Sequence, residues 1–459
     1  MMKSIDINDL QIGHKTKTDL YAESGDLLIS EGVIISGKIV SILNRRNIFT
    51  LYYQPTQQEE LDELINQNKR LEELSLDIEK SDANRSEPFF PPQSVVLSRE
   101  FGRKGFDELM QSKSARLLDS DFKKGMIADR PFGKPLERKA KAPEMADRTQ
   151  SYKNEQVAEY HRALAQTRSI LNTVANTERL DGQEIKRVVQ RFVNLYKNDY
   201  TVLYNLATIK QKNDDYLYSH SLNTCLIAIS IAAAAGYSEQ QVTEAGMGAL
   251  LHDIGMLHIH PDIRNKNARL TVDEWYEVQK HPIIGLHLLE KVKNLPRSVP
   301  FVAYQCHERE NAKGYPKHRR GRMIHRFAKI VQIADVFTAY SSPRSYRPAR
   351  TPYQSMAFSI KLMRQGFISG ELLRSFLQQA SLFPLGSIVE LDNMCLAKVI
   401  KSNESSFGKP VVKVIADRDG NIFSPVHMKV IDLKDDNEHR IARAHGPEAV
   451  EHADVLTGL

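Results

Sequence analysis

The run Leu250-Leu251-His252-Asp253-Ile254-Gly255 ends a hydrophobic helix on an adjacent imidazole and carboxylate, and a glycine then releases the backbone. Burying either group alone is costly, so a chain carrying this pair has to fold in a way that brings partners to it. His220 lies upstream, and His281, His307 and Asp335 follow at intervals of one helix plus a loop. Neutral imidazoles mixed with carboxylates suit iron, manganese, nickel or zinc better than a magnesium-only oxygen site. Two metals about 3.5–4 Å apart, bridged by a carboxylate, activate water and stabilise a leaving oxygen. The expectation is a two-metal site closed by helices.

Each residue also has a plainer reading. Taken alone, His220 reads as a capping or core histidine, and His281, which precedes Pro282, as a helix-start residue. Asp335 stands inside the apolar run Ile333-Ala334-Asp335-Val336, where an unpaired carboxylate would have a strongly raised pKa. Adjacent residues within a helix point about 100° apart, but His252 and Asp253 at a helix end can address one centre. The full ordered set on separate helices favours the metal reading. His258, His260, His287, His318 and His325 are read as structural or exposed.

The surrounding pattern, residues 151–383, is helical throughout. Val157, Tyr160, Leu164, Leu171 and Val174 mark one amphipathic face, and Asp181 to Glu184 has capping-box spacing before Ile185, Val188, Val189, Phe192 and Leu195. A further helix covers about 201–210. The stretch from about Leu217 to Ala235 is apolar nearly all round and should be central, with Gly236 ending it. Ser238 and Gln241 again have capping-box spacing. The fold expected is mainly α, flanked by a small α+β module at 1–54 and a short β subdomain at 384–434. In the former, Asp26 to Ile29 and Phe49 to Tyr53 read as strands, with Ser36 capping a short helix. Residues 55–150 hold a heptad-like helical run from Gln57 to Lys80 and then a charged, proline-containing linker. In the C-terminal subdomain Ser387 to Leu391, Cys395 to Ile400, Val411 to Ala416 and Met428 to Ile431 read as strands, and 435–459 as a polar, frayed tail.

A length of 459 residues points to two to four domains, and a 41% hydrophobic fraction permits a sizeable core. The net charge of +6 is modest and gives no ground for expecting a nucleic-acid polymer as partner. Three scattered cysteines, Cys225, Cys306 and Cys395, form no disulfide framework. The N-terminus lacks the apolar region of a signal peptide, and the stretch Leu226 to Ala235 falls short of the roughly 20 residues that span a bilayer. A cytoplasmic protein without membrane insertion is expected.

The chain resembles the HD-GYP domains of the HD phosphohydrolase superfamily over about 210–385. The resemblance rests on Tyr218-Ser219-His220-Ser221-Leu222-Asn223, Leu251-His252-Asp253-Ile254-Gly255, Lys280-His281-Pro282-Ile283-Ile284-Gly285, His307-Glu308-Arg309, Gly314-Tyr315-Pro316 and Ile333-Ala334-Asp335-Val336-Phe337, followed by Arg344-Ser345-Tyr346-Arg347. It implies an all-helical domain holding two divalent transition metal ions, iron, manganese or zinc, and hydrolysis of cyclic di-GMP to linear pGpG or GMP. By motif, His220, His252, Asp253 and Asp335 would hold one metal. Asp253 would bridge to the second, held by His281 and His307, with His252 and Asp253 the catalytic pair. Arg344 and Arg347 would clamp phosphate through guanidinium forks. Partners implied are cyclic di-GMP itself, signalling proteins such as diguanylate cyclases, and a second copy in a homodimer.

This sequence departs from that pattern in places. Met256 stands where the family places a phosphate-facing lysine, and Cys306-His307 replaces a His-His pair. Asn311-Ala312-Lys313 replaces the Asp-Gly before Gly314, and Tyr216 replaces the glutamate that accompanies a third metal, so no third metal is expected. Cys306 has two readings: a thiolate ligand that shifts preference toward zinc, or a core thiol that leaves the second metal one ligand short. Lys313 or Arg322 is the candidate replacement cation. The alternative to an enzyme is a degenerate domain that binds cyclic di-GMP or a protein and regulates. A third reading is an HD hydrolase acting on another nucleotide.

Overall fold

The structure is a computed structural model. It describes residues 3–7, 10, 12–16, 18–22, 27–30, 32–45, 48, 50–53, 113–125, 127–138, 150–176, 180–207, 216–342, 349–403, 406–424 and 426–445. The chain divides into two units, Met1–Arg85 and Ser86–Leu459. The heptad-like run from Gln57 to Lys80 lies outside the described residues.

In the first unit, β1 (Lys3–Asp6), β2 (Leu20–Tyr21), β3 (Leu27–Ile29) and β4 (Thr50–Tyr53) form an antiparallel sheet in the order β1-β4-β2-β3. Helix α1 (Gly37–Arg45) follows Ser36, whose hydroxyl accepts the Ile39 N–H at 3.3 Å. Ile7, Leu20, Ile29, Ile35, Leu43 and Leu51 make its core. The strands β1 and β2 are additions to the expected pattern, too short to show an alternation of their own.

Within the stretch expected as a solvated linker, α2 (Lys113–Lys123) is a helix. Its Ala115, Leu118 and Phe122, with Ile127, pack on Ile283, Leu286, Phe301 and Tyr304. Downstream, Gln241 joins the Phe132 N–H to the Arg130 carbonyl, and the Tyr237 hydroxyl donates to the Asp129 carbonyl. An apolar side chain on each turn and the ion pairs of Asp119 and Asp121 tie down a segment whose charge had hidden it.

Helices α3 (Gln150–Ala175), α4 (Gly182–Asn198) and α5 (Val202–Ala207) surround α6 (Tyr216–Ala234). Tyr160, Leu164, Leu171 and Val174 of α3 are buried as expected, but Val157 is 38% exposed and lies off that face. Asp181 caps α4 by accepting the Gln183 N–H. Helix α6 is apolar nearly all round and central. It is the one helix among the described residues long and apolar enough to cross a membrane, and 78% of its apolar window is buried in this unit. Gly236 ends it at φ +81°. Helix α7 (Glu239–Leu251) starts on the Ser238/Gln241 capping box and runs into His252-Asp253.

After the 3₁₀ turn Ile254–His258 come α8 (Pro261–Arg264), α9 (Val272–Gln279), α10 (His281–Leu289), α11 (Ser298–Gln305), α12 (Arg326–Ser341), α13 (Pro352–Arg364) and α14 (Gly370–Ala380). Among the described residues from 150 to 383 there is no strand. The sheet that follows has β5 (Ile388–Leu391), β6 (Leu396–Lys401), β7 (Val411–Ala416), β8 (Val430–Asp432) and β9 (Ile441–His445) in the order β8-β7-β6-β5-β9. Strand β9 corrects the frayed tail: its residues 441–445 pair antiparallel with β5, and Glu390 holds both Arg443 and His445. A short edge strand with one large aliphatic side chain, Ile441, carries too little alternation to be recognised.

His325 caps α12. Its Nδ1 accepts the Phe327 N–H at 3.1 Å, and its ring sits fully buried against Phe122, Phe301 and Phe327. Burial lowers its pKa to about 3. An unfolded histidine titrates near 6.5, so between these values the unfolded chain binds a proton that the folded chain refuses. Stability therefore rises with pH across that window, and acidification from pH 6.5 lowers it by up to about 1.4 kcal/mol per pH unit from this group. Urea unfolding as a function of pH should show this slope, and His325→Asn, which keeps a non-titrating cap acceptor, should flatten it.

Candidate metal centre

The centre is assembled from the ends of helices and two helix interiors. Helix α7 ends at His252-Asp253, α10 begins with His281, and His307 lies two residues beyond α11. His220 and Asp335 project from the bodies of α6 and α12, which pack side by side. Gly255 allows this closure: a Cβ there would lie 2.0 Å from the His281 carbonyl oxygen and 2.8 Å from the Gly285 nitrogen. Gly314 does the same on the other side, where a Cβ would meet the His307 oxygen, the Glu308 carbonyl carbon and the Arg309 nitrogen at 2.4 Å. That approach lets the Tyr315 N–H donate to the His307 carbonyl and the Tyr315 ring stack on the His307 ring, with centroids 5.0 Å apart.

Two clusters result, His220/His252/Asp253 and Asp253/His281/His307, and each has its ligand atoms within 4.8 Å of one another. They share Asp253. Its Oδ1 lies 3.4 Å from His252 Nε2, 3.3 Å from His281 Nε2 and 3.2 Å from His307 Nε2, while Oδ2 is 4.0 Å from His220 Nε2. Asp335 joins on the first side, its Oδ1 being 3.1 Å from His220 Nε2 and 3.9 Å from His252 Nε2.

The outer ring nitrogens explain the orientation. His252 Nδ1 lies 2.7 Å from the Ala249 carbonyl and His281 Nδ1 lies 2.6 Å from the Val278 carbonyl. A carbonyl only accepts, so both Nδ1 atoms carry hydrogen, which fixes the rings with each Nε2 directed at the centre. His220 Nδ1 faces the Thr338 hydroxyl at 3.4 Å, and that hydroxyl donates to the Ala334 carbonyl. The Nε2 atoms of His252 and His281 are buried and make no hydrogen bond. Ring nitrogens thus face carboxylate oxygens at 3.3–3.4 Å without a hydrogen bond between them. Cations fit this donor set.

The charges agree. Burial alone would raise the Asp253 carboxyl, but His252, His281 and His307 outweigh it and hold it well below the usual carboxylate range. Burial also opposes ionisation of Asp335, and His220 and His252 pull it below the usual range in the same way. Burial lowers His307 to about 4 against the opposing pull of Asp253, which leaves its ring neutral at physiological pH. Two carboxylates and four imidazoles therefore converge on one centre.

The other expected site residues lie elsewhere. Cys306 belongs to neither cluster: its thiol donates to the Ala303 carbonyl at 3.5 Å, and burial with the nearby Asp253 and Asp335 pushes it well above its ordinary pKa. Lys313 is exposed, its amine 6.0 Å from the Phe367 ring centre, and Arg322 is exposed as well. Met256 is half-buried, its carbonyl accepting from Arg264 at 3.1 Å. Arg344 and Arg347 lie outside the described residues. Tyr216 stacks on the His220 ring with centroids 5.4 Å apart, so it closes the end of the centre with an aromatic face. Thr338 and the carbonyls of Ala249 and Val278 were missed from sequence, where nothing distinguishes such groups from ordinary helix positions.

Comparison with known proteins places these observations. Residues 202–367 match the HD domain model, and residues 388–453 match the KOW domain associated with HD domain. A cyclic di-GMP phosphodiesterase of Pseudomonas aeruginosa, PA4108, is 30% identical over 233 residues, which are 50% of this chain and 55% of that protein. The cyclic di-GMP phosphodiesterase PdeB of Borreliella burgdorferi is 28% identical over 207 residues, 45% of this chain and 54% of that protein. The 3'3'-cGAMP-specific phosphodiesterase 2 of Vibrio cholerae is 29% identical over 167 residues, 36% of this chain and 32% of that protein. The chain thus spans about half the length of the first two relatives.

Proposed function

The chain belongs to the HD-GYP-like family of HD-type phosphohydrolases, and we propose that it is a metal-dependent phosphodiesterase that opens a cyclic dinucleotide, cyclic di-GMP first among them. The observation that supports this most is the pair of clusters sharing Asp253, with the Nε2 atoms of His252 and His281 buried and without a hydrogen bond. In this reading His220, His252, Asp253 and Asp335 hold one divalent ion, and His281, His307 and the shared Asp253 hold the other. Iron, manganese and zinc all accept such nitrogen and oxygen donors. A bound ion pair supplies Lewis acidity at the scissile phosphate and lowers the pKa of water there. The protein's own part is to keep the Nδ1 protons of His252 and His281 fixed on carbonyls, to hold Asp253 ionised, and to shield one face with Tyr216 and Tyr315. Cys306 is assigned to the core and not to the second ion. Arg344 and Arg347 remain the proposed phosphate clamp.

The names of the relatives divide between cyclic di-GMP and 3'3'-cGAMP, so substrate is the finer question. Chain loaded anaerobically with each metal in turn, then offered both dinucleotides, should release linear product from cyclic di-GMP faster than from 3'3'-cGAMP. Metal-loaded protein that leaves both intact would overturn the phosphodiesterase reading. A second reading, a regulator that binds without turnover, draws on Met256 standing where a phosphate-facing lysine is expected. Removing a single critical cation can lower a rate by about 10²–10³. On the enzymatic reading Met256→Lys raises turnover; on the regulatory one the dinucleotide binds and no variant turns it over.

A further inference from the structure

The two clusters are supported differently. Helix α2 lies outside the HD-domain match, yet it touches the two helices that carry the second cluster. Leu118 and its neighbours contact Ile283 and Leu286 on α10, which starts at His281, and Phe301 and Tyr304 on α11, which leads to His307. Asp121 pairs with Arg297 at the start of α11.

A polar connection runs deeper. Asp119 of α2 holds Arg319 through Nη2 and Lys317 through Nζ at 3.1 Å. Arg319 is 6% exposed, and its Nη1 donates to Glu308 Oε1 at 2.9 Å while Nη2 also donates to the Tyr304 hydroxyl at 3.0 Å. Glu308 is fully buried and accepts two further bonds, from the Lys317 N–H at 2.8 Å and the Arg319 N–H at 2.7 Å. It directly follows His307. The loop 307–319 is therefore drawn around one carboxylate, and that carboxylate is held by an arginine whose other anion comes from α2. Two anions balance two cations in this network, so removing Asp119 leaves buried Arg319 with half its ionic partners.

We propose that Asp119 is a positioning residue that sets His307 through Arg319 and Glu308, so that a helix outside the HD-domain match decides how tightly the second ion is held. This rests on the two-metal reading above. The first cluster, carried by α6 and α7 with Asp335 on α12, should not respond. Outer-shell partners of this kind typically change metal affinity by about 10–100-fold.

The test is manganese(II) titration of the full chain, free of nucleotide, with ion content and affinity read by equilibrium dialysis and folding by far-ultraviolet dichroism and melting. Wild type should bind two ions. Asp119→Asn should leave one site unchanged and weaken the other by about 10–100-fold, with partial recovery in Asp119→Glu. Arg319→Lys, which keeps the charge but loses the fork, should reproduce the loss and serves if Asp119→Asn does not fold. Arg297→Gln breaks the α2–α11 pair without touching Glu308 and should leave both sites as they were. Equal affinities in wild type, Asp119→Asn and Arg319→Lys, or parallel weakening of both sites, would overturn the proposal while leaving the two-metal reading standing. Wild type that binds fewer than two ions would overturn both.

Discussion

Asp253→Asn should abolish turnover, with a loss exceeding about 10³-fold, and should take metal content from two ions toward none. The amide keeps the size of the carboxylate and changes its charge and lone pairs. Asp253 is the one group common to both clusters, so no single histidine replacement should have as large an effect. Melting gives a second readout. Ions that bind only the folded chain stabilise it by about 2.7 kcal/mol at a hundredfold excess over the dissociation constant. A chelator should therefore lower the melting temperature of wild type markedly and that of Asp253→Asn hardly at all. Full ion content in the variant, measured after desalting, would show that Asp253 does not bridge.

The second large effect is expected from Gly255→Ala. The added Cβ would meet the His281 oxygen at 2.0 Å, the Gly285 nitrogen at 2.8 Å and the His281 carbonyl carbon at 2.9 Å. All three are backbone atoms, so no side chain can turn away, and α10 has to retreat from the 3₁₀ turn. Overpacking of this kind costs about 1–3 kcal/mol or more, which denaturant titration of the metal-free chain should report. The same movement carries His281 away from Asp253, so the second ion should be lost before the first. Gly285→Ala is the matched control. Its Cβ would meet Ile254 Cγ2 at 3.2 Å and nothing from the backbone closer than 3.6 Å, and it should cost far less.

What was legible in the sequence, and what was not, follows from how far each feature depends on distant partners. His252-Asp253 after an apolar run, Asp335 within one, and His281 before Pro282 are odd locally, and each proves to stand at the centre. Apolar α6 and the capping box of Ser238 likewise announce themselves. Helix α2 does not. Its decisive pair, Asp119 with Arg319, spans 200 residues, and its short apolar face is diluted by lysine, arginine and aspartate. Cys306 was ambiguous because a thiol one residue before a ligand is equally a ligand or a core group until its direction is known. The thiol's contact with the Ala303 carbonyl is what favours the core assignment proposed above.

The return of β9 to β5 has a consequence for how the chain is made. As the polypeptide leaves the ribosome, β5 and β6 pair within a few residues of each other, but Glu390 waits for Arg443, 53 positions later. During that interval one side of β5 is an open row of backbone donors and acceptors, the kind of edge that recruits strands from other molecules. Synthesis halted anywhere between about 402 and 440 would leave a product whose helical part can finish while its sheet stays open. Such fragments should accumulate as aggregates, and the few residues from Ile441 to His445 act as a late seal on the nascent protein.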